Sequence, residues 1–190
     1  EATSNALYEL KELIKNHQIK LEFIDVGGGL GIPYNQEEES TIATVDDYMR
    51  LIKKCLNKEI NENVKIVFEP GRYLVANAGA LVTKVIRIKK SESSNFVIVD
   101  GGMNDFARTA LYEAFHNILP TPYRVNSKNI LTNIVGPICE SSDFFAKDRE
   151  MPEIKKNDLL IIADAGAYGY SMCSTYNLRS KPSEVILNEL

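Results

Sequence analysis

Leu21-Glu22-Phe23-Ile24-Asp25-Val26-Gly27-Gly28-Gly29-Leu30-Gly31 is a short apolar-rich run that ends directly in a cluster of glycines. The run predicts a β-strand, and the glycines predict a tight turn at its carboxyl end. The same grammar returns at Val64-Lys65-Ile66-Val67-Phe68, which leads into Glu69-Pro70-Gly71-Arg72. Helical patterns surround both strands. Leu7, Leu10, Leu13, Ile14 and His17 fall at helical spacing on one face, with Glu9, Lys11, Glu12 and Lys15 pointing away. Farther on, Thr44 is placed to cap a second helix with Asp46 and Asp47 in its first turn, and Val45, Met49, Ile52 and Leu56 form its buried stripe. An α-β-loop-α-β order is the rhythm of a parallel sheet or a (βα) barrel.

Beyond about Asn77 the pattern changes. Segments 80–88, 95–99, 130–135 and 158–163 are rich in Val, Ile and Thr and are separated by Gly, Pro, Asn and Ser, with no long amphipathic helix between them. This half reads as a mostly antiparallel β domain with long loops. The change of class predicts two parts, residues 1–78 and 79–190, that pack together.

Composition removes several function classes. The 190 residues are 44% hydrophobic and 25% charged, which is ordinary for a globular chain. A net charge of −4, from 22 basic and 26 acidic residues, lacks the basic footprint of a nucleic-acid or anionic-membrane binder. No apolar run is long enough to span a bilayer, and no signal peptide is visible. Three widely spaced cysteines and two histidines give no metal-ligand cluster and no disulfide framework, so no metal is expected and a reducing cytoplasm is the expected setting. The chain opens with Glu1 in residues that already read as helix, the pattern of a piece lying within a longer protein.

Five stretches carry residue types suited to chemistry. The Gly27–Gly31 run lets backbone N–H groups approach an anion closely, although it is neither G-x-G-x-x-G nor a P-loop; a plain tight βα turn is the other reading. Glu69-Pro70-Gly71-Arg72 ends a second strand at the same end of the same sheet, where parallel sheets place ligands, and Arg72 adds a bidentate donor for a carboxylate. Arg108 and Tyr112, four residues apart, share a face if one helical turn forms there, and together they suit a carboxylate. The loop Gly136-Pro137-Ile138-Cys139-Glu140-Ser141-Ser142-Asp143 sets a thiol among carboxylates, a setting for proton transfer, whereas Cys55 and Cys173 read as inert packing residues. Asp164-Ala165-Gly166-Ala167-Tyr168 surrounds an aromatic ring with small residues, which suits a flat ligand as well as it suits rim packing.

In order, FIDVGGGLGIPY (23–34), EPGRYLVANAG (69–79), VDGGMNDFARTALY (99–112), GPICESSDFF (136–145) and DAGAYGYSMCSTYN (164–177) resemble the fold-type III decarboxylases that use pyridoxal phosphate, most closely those acting on meso-diaminopimelate. The resemblance implies the C-terminal part of a (βα)8 TIM-type barrel followed by the β domain. It implies that Gly27, Gly28, Gly29, Glu69, Pro70, Gly71, Arg72 and Tyr168 hold pyridoxal 5'-phosphate. Arg72, Arg108, Tyr112, Glu140 and Tyr168 would bind an amino-acid substrate, and Cys139 would donate a proton in the active site of the neighbouring subunit of a homodimer. Loss of CO2 leaves a carbanion that the cofactor ring absorbs, and the carbon is then reprotonated. Two arginines fit the distal carboxylate of meso-diaminopimelate, with L-lysine as product; a related arginine, ornithine or lysine decarboxylase is the alternative, and that branch carries aspartate where this chain has Glu140. The family's Schiff-base lysine and ring-stacking histidine have no counterpart here, and Lys20, Lys65, Lys84, Lys89 and Lys90 read as solvated charges. A non-catalytic regulatory relative is therefore the third reading.

Overall fold

The computed structural model describes residues 2–35, 37–56, 64–92, 94–124 and 127–187. They fall into two compact units, Glu1–Leu74 and Val75–Leu190.

In the first unit, β1 (Phe23–Asp25) and β2 (Lys65–Val67) pair in parallel, with Ile24 opposite Ile66. Helices α1 (Ala2–His17) and α2 (Val45–Leu56) accompany them, and Leu7, Ile24 and Ile52 form the buried centre. Each such buried side chain contributes roughly 1.5–3 kcal/mol. The predicted cap at Thr44 forms reciprocally. Its Oγ1 accepts the Asp47 N–H at 3.1 Å, and the Asp47 carboxylate accepts the Thr44 N–H at 3.3 Å. Two expected stripes are narrower than their periodicity suggests: Leu13 and His17 on α1 and Val45 on α2 are exposed. Leu13 lies about 120° around the helix from Leu7, outside the arc that is covered. Val45 is the first residue of α2, at the edge of the packed face. Parallel strands ordinarily have both faces covered. Here Phe23 and Val67, which alternate with the buried positions, are exposed at 57% and 38%.

The second unit is a six-stranded sheet in the order β5-β8-β3-β4-β6-β7. Its strands are β3 (Leu81–Lys90), β4 (Asn95–Val99), β5 (Ile118–Thr121), β6 (Ile130–Val135), β7 (Phe144–Met151) and β8 (Leu159–Ile162). Inward alternation of Val85 on β3, Val97 and Val99 on β4, Ile134 on β6 and Leu160 and Ile162 on β8 builds one core with Phe106, Ile118 and Phe145. The expected mostly antiparallel character holds roughly, in a sheet that is mixed. Among the described residues the β3–β4, β3–β8, β5–β8 and β6–β7 ladders are antiparallel, but β4 and β6 run parallel, with Val97 opposite Ile134. The chain between β4 and β6 makes that crossover possible, and it carries α4 (Arg108–Tyr112) and the edge strand β5.

Strands β5 and β7 are absent from the sequence expectation, and both are sheet edges. Edge positions tolerate Pro120 in β5 and the Lys147-Asp148-Arg149-Glu150 run in β7, because one side of each strand has no ladder to complete. Those residues erase the β-branched, alternating pattern by which a strand is recognised.

Candidate active site

The glycine run leaves β1 by a turn that only glycine enters easily. Gly27 and Gly29 have φ of +69° and +88°, and a Cβ added at either would meet nothing within 4 Å. Gly28 differs: a Cβ there would lie 2.7 Å from the Glu69 carbonyl oxygen. The Glu69 N–H donates to the Gly27 carbonyl at 2.8 Å and the Tyr48 hydroxyl donates to that of Gly28 at 2.8 Å. The two strand ends are therefore stitched together, as their shared sheet end predicted. An anion already uses this backbone, since the Asp25 carboxylate accepts the Gly27 N–H at 2.8 Å. Arg72, in α3 (Gly71–Val75), donates to the Tyr34 hydroxyl at 2.7 Å and lies 5.9 Å from the centre of that ring. Tyr34 closes the FIDVGGGLGIPY stretch and orients Arg72.

In the second unit α4 forms, but it does not present Arg108 and Tyr112 alike. Arg108 is buried at 6% exposure, whereas Tyr112 is 65% exposed. The helix has a single turn, and it ends at Glu113 in the left-handed region, so its last residue faces outward. Arg108 donates its Nε–H to His116 Nε2 at 3.1 Å, and its guanidinium carbon lies 5.9 Å from the centre of the Tyr168 ring. Tyr168 is half exposed and itself has φ +58°. The structure thus brings Arg108 and Tyr168 together and leaves Tyr112 apart from them at the surface.

Cys139 and Glu140 are exposed on the loop after β6. That loop is built around Asp143, which is buried. One carboxylate oxygen accepts the Ile138 N–H at 2.6 Å and the other accepts the Met103 N–H at 2.7 Å. Burial pushes this carboxyl above the ordinary aspartate range, against the pull of the two amides. Asp143 joins the Cys139 loop to the 100–105 segment that precedes Arg108. The Tyr176 hydroxyl donates to Glu140 at 2.5 Å, and that bond pushes the Tyr176 phenol up. Cys173 is buried with its thiol on the Asp105 carbonyl and is pushed up by burial, while Cys55 is half-buried. The five lysines read as solvated are all exposed.

Residue-type reasoning passed over Tyr34, His116, Asp143 and Tyr176 as site-shaping residues. Tyr34, Asp143 and Tyr176 lie inside the quoted stretches, so their signal was position. His116 is one of two histidines that form no metal-ligand cluster in the sequence, and nothing in its neighbours marks it as a partner for Arg108.

The chain as a whole is similar to known proteins. Residues 15–166 match the family described as pyridoxal-dependent decarboxylase, C-terminal sheet domain. The chain is 40% identical over 178 residues to a diaminopimelate decarboxylase of Aquifex aeolicus, covering 94% of this chain and 41% of that protein. A Campylobacter jejuni diaminopimelate decarboxylase is 44% identical over 181 residues, covering 95% and 42%. The crystal structure of diaminopimelate decarboxylase from Helicobacter pylori complexed with L-lysine superposes with a TM-score of 0.81 at 40% identity, covering 95% of this chain and 44% of that one. The chain spans about two fifths of the length of the curated relatives it matches. The match over residues 15–166, with 40% and 44% identity to relatives over 94% and 95% of this chain, places it in the family of pyridoxal-dependent decarboxylases.

Proposed function

We propose that this chain is the C-terminal portion of a decarboxylase that converts meso-diaminopimelate to L-lysine and CO2 with pyridoxal phosphate. In this reading residues 1–78 supply the last βα units of a (βα)8 barrel, and residues 79–190 supply the β domain with its substrate and dimer loops. Exposed Phe23 and Val67 on a parallel pair support the first part, because further barrel elements would cover them. The free cysteines and the absence, among the described residues, of a helix long and apolar enough to cross a membrane are compatible with a cytoplasmic enzyme.

The residues present fit the cofactor. Left-handed Gly27 and Gly29 put no side chain in the way of a phosphate, and Glu69, Pro70, Gly71 and Arg72 follow the strand end stitched to Gly27. When bound, pyridoxal phosphate supplies the electron sink for loss of CO2. The chain's own residues do the rest. Arg108 takes the distal carboxylate of the substrate, Glu140 takes its distal ammonium and Tyr168 lies against the same ligand, while Arg72 stands with the cofactor turn of the first unit. Cys139 delivers the proton from an exposed loop, in the site of the neighbouring subunit of a homodimer.

The observation that carries the substrate is Arg108, a buried cation aimed by His116 and set beside Tyr168. A guanidinium fork matches a carboxylate through two parallel hydrogen bonds, and a diamine end offers no carboxylate. The test uses the full-length protein and a panel of meso-diaminopimelate, lysine, ornithine and arginine. Arg108→Ala should lower kcat/KM for meso-diaminopimelate by about a hundredfold, the loss expected for one desolvated charge-assisted pair. An equal loss across the panel would assign Arg108 a structural role.

A further inference from the structure

His116 is fully buried, and both nitrogens of its ring are engaged. Nδ1 lies 2.9 Å from the Ala163 carbonyl oxygen, which only accepts, so Nδ1 carries the hydrogen. Nε2 is therefore the lone pair that receives the Arg108 Nε–H at 3.1 Å. These partners require a neutral imidazole in one tautomer. Its plane is held as well. The ring meets Phe106 edge to face at 4.7 Å and 84°, and the backbone carbonyl of His116 accepts Arg149 Nη1 at 2.5 Å. Asn117, the next residue, accepts the Ala163 N–H at 2.9 Å, so the same short stretch grips the end of β8 twice. Ala163 leads directly into the segment that carries Tyr168.

Nε is the inner corner of a guanidinium. An acceptor fixed there restricts how the guanidinium can turn on its side-chain stem, and the guanidinium carbon lies 5.9 Å from the centre of the Tyr168 ring. We propose that His116 is a positioning residue for substrate recognition: its neutral ring aims Arg108 at a substrate carboxylate and ties that aim to the Tyr168 segment. This inference rests on the reading of Arg108 as a carboxylate-binding residue. His116 itself touches neither substrate nor cofactor in this account.

The test compares His116→Gln, His116→Asn and His116→Leu in the full-length holoenzyme. The Gln amide oxygen reaches the place of Nε2 and keeps an acceptor for Arg108; the Asn amide reaches only the place of Nδ1. His116→Asn should raise KM for meso-diaminopimelate about tenfold, the factor expected for losing one charge-assisted hydrogen bond, with kcat and cofactor affinity little changed. Calorimetric binding of pimelate, a dicarboxylate without amino groups, should weaken by the same factor, and His116→Gln should restore both. If His116→Leu does not fold, the Asn and Gln pair still decides. Equal behaviour of Asn and Gln, or a parallel fall in kcat and cofactor binding, would overturn the proposal. Arg108→Ala separates the two levels. If it raises KM while His116→Asn does not, the positioning role is wrong; if Arg108→Ala leaves KM unchanged, the carboxylate reading fails and this inference falls with it.

Discussion

Replacing Gly28 by Ala tests the stitched cradle with one methyl group. The added Cβ would stand 2.7 Å from the Glu69 carbonyl oxygen, where ordinary contact begins at 3.4 Å, so the two strand ends must separate by 0.7 Å. Neither end is loose. The Glu69 N–H is held by Gly27, and the Glu69 carbonyl accepts the Gly71 N–H at 2.8 Å, so a shift there moves the Pro70-Gly71-Arg72 turn as well. Overpacking of this kind costs about 1–3 kcal/mol. If about half of that falls on the cradle, affinity for pyridoxal phosphate drops by roughly fivefold. The assay is a titration of the apo form of the full-length enzyme with the cofactor, followed by visible absorbance, with thermal denaturation run in parallel. Gly31→Ala is the matched control, because its Cβ would meet only the Ile42 side chain at 3.9 Å, and it should bind like the parent. A folded Gly28→Ala enzyme with parental cofactor affinity would refute the assignment of this turn to the cofactor.

Three further outcomes follow from the geometry. Asp143→Ala strands the buried amides of Met103 and Ile138, and at about 1–3 kcal/mol for each it should destabilise the sheet unit in urea and speed alkylation of Cys139 as the loop loosens. Cys139→Ala should lower kcat by about 10²–10⁴, the usual worth of a positioned acid, while cofactor affinity holds; equal losses would make Cys139 structural. The bidentate Arg124 pair at 2.5 and 2.9 Å holds the buried Asp158 carboxyl below its ordinary value of 3.8. A depressed folded value means stability that is present above 3.8 and lost as pH falls through the folded value, so the native state gains as acid is removed. Asp158→Asn should therefore cost about 2 kcal/mol at neutral pH, and the gap to the parent should close in acid.

The central strands were legible because their inward positions are Val, Ile and Leu at period two; β4 and β6 begin and end where the pattern places them. The edge strands were not, because Pro120 and the charged run of β7 are tolerated only where a ladder is missing on one side. Nor was the parallel β4–β6 pair, since pairing direction is decided by the crossover between strands and not by residues within them. At the site, glycines announced themselves through backbone requirements that no other residue meets, and Arg72 and Arg108 through their position in ordered stretches. Their orienting partners did not. Tyr34 meets Arg72 across 38 positions, and Asp143 reaches Met103 across 40. Such pairings are made by tertiary structure, and no local pattern encodes them.

Turnover of meso-diaminopimelate by the purified full-length protein, read as CO2 and L-lysine released in equal amounts, decides whether this chain belongs to a diaminopimelate-specific enzyme. The expected result is cofactor-dependent release of both products from meso-diaminopimelate, with little or no amine product from ornithine, arginine or lysine. A folded, cofactor-loaded protein that leaves meso-diaminopimelate intact, or that prefers one of the other three, would contradict it.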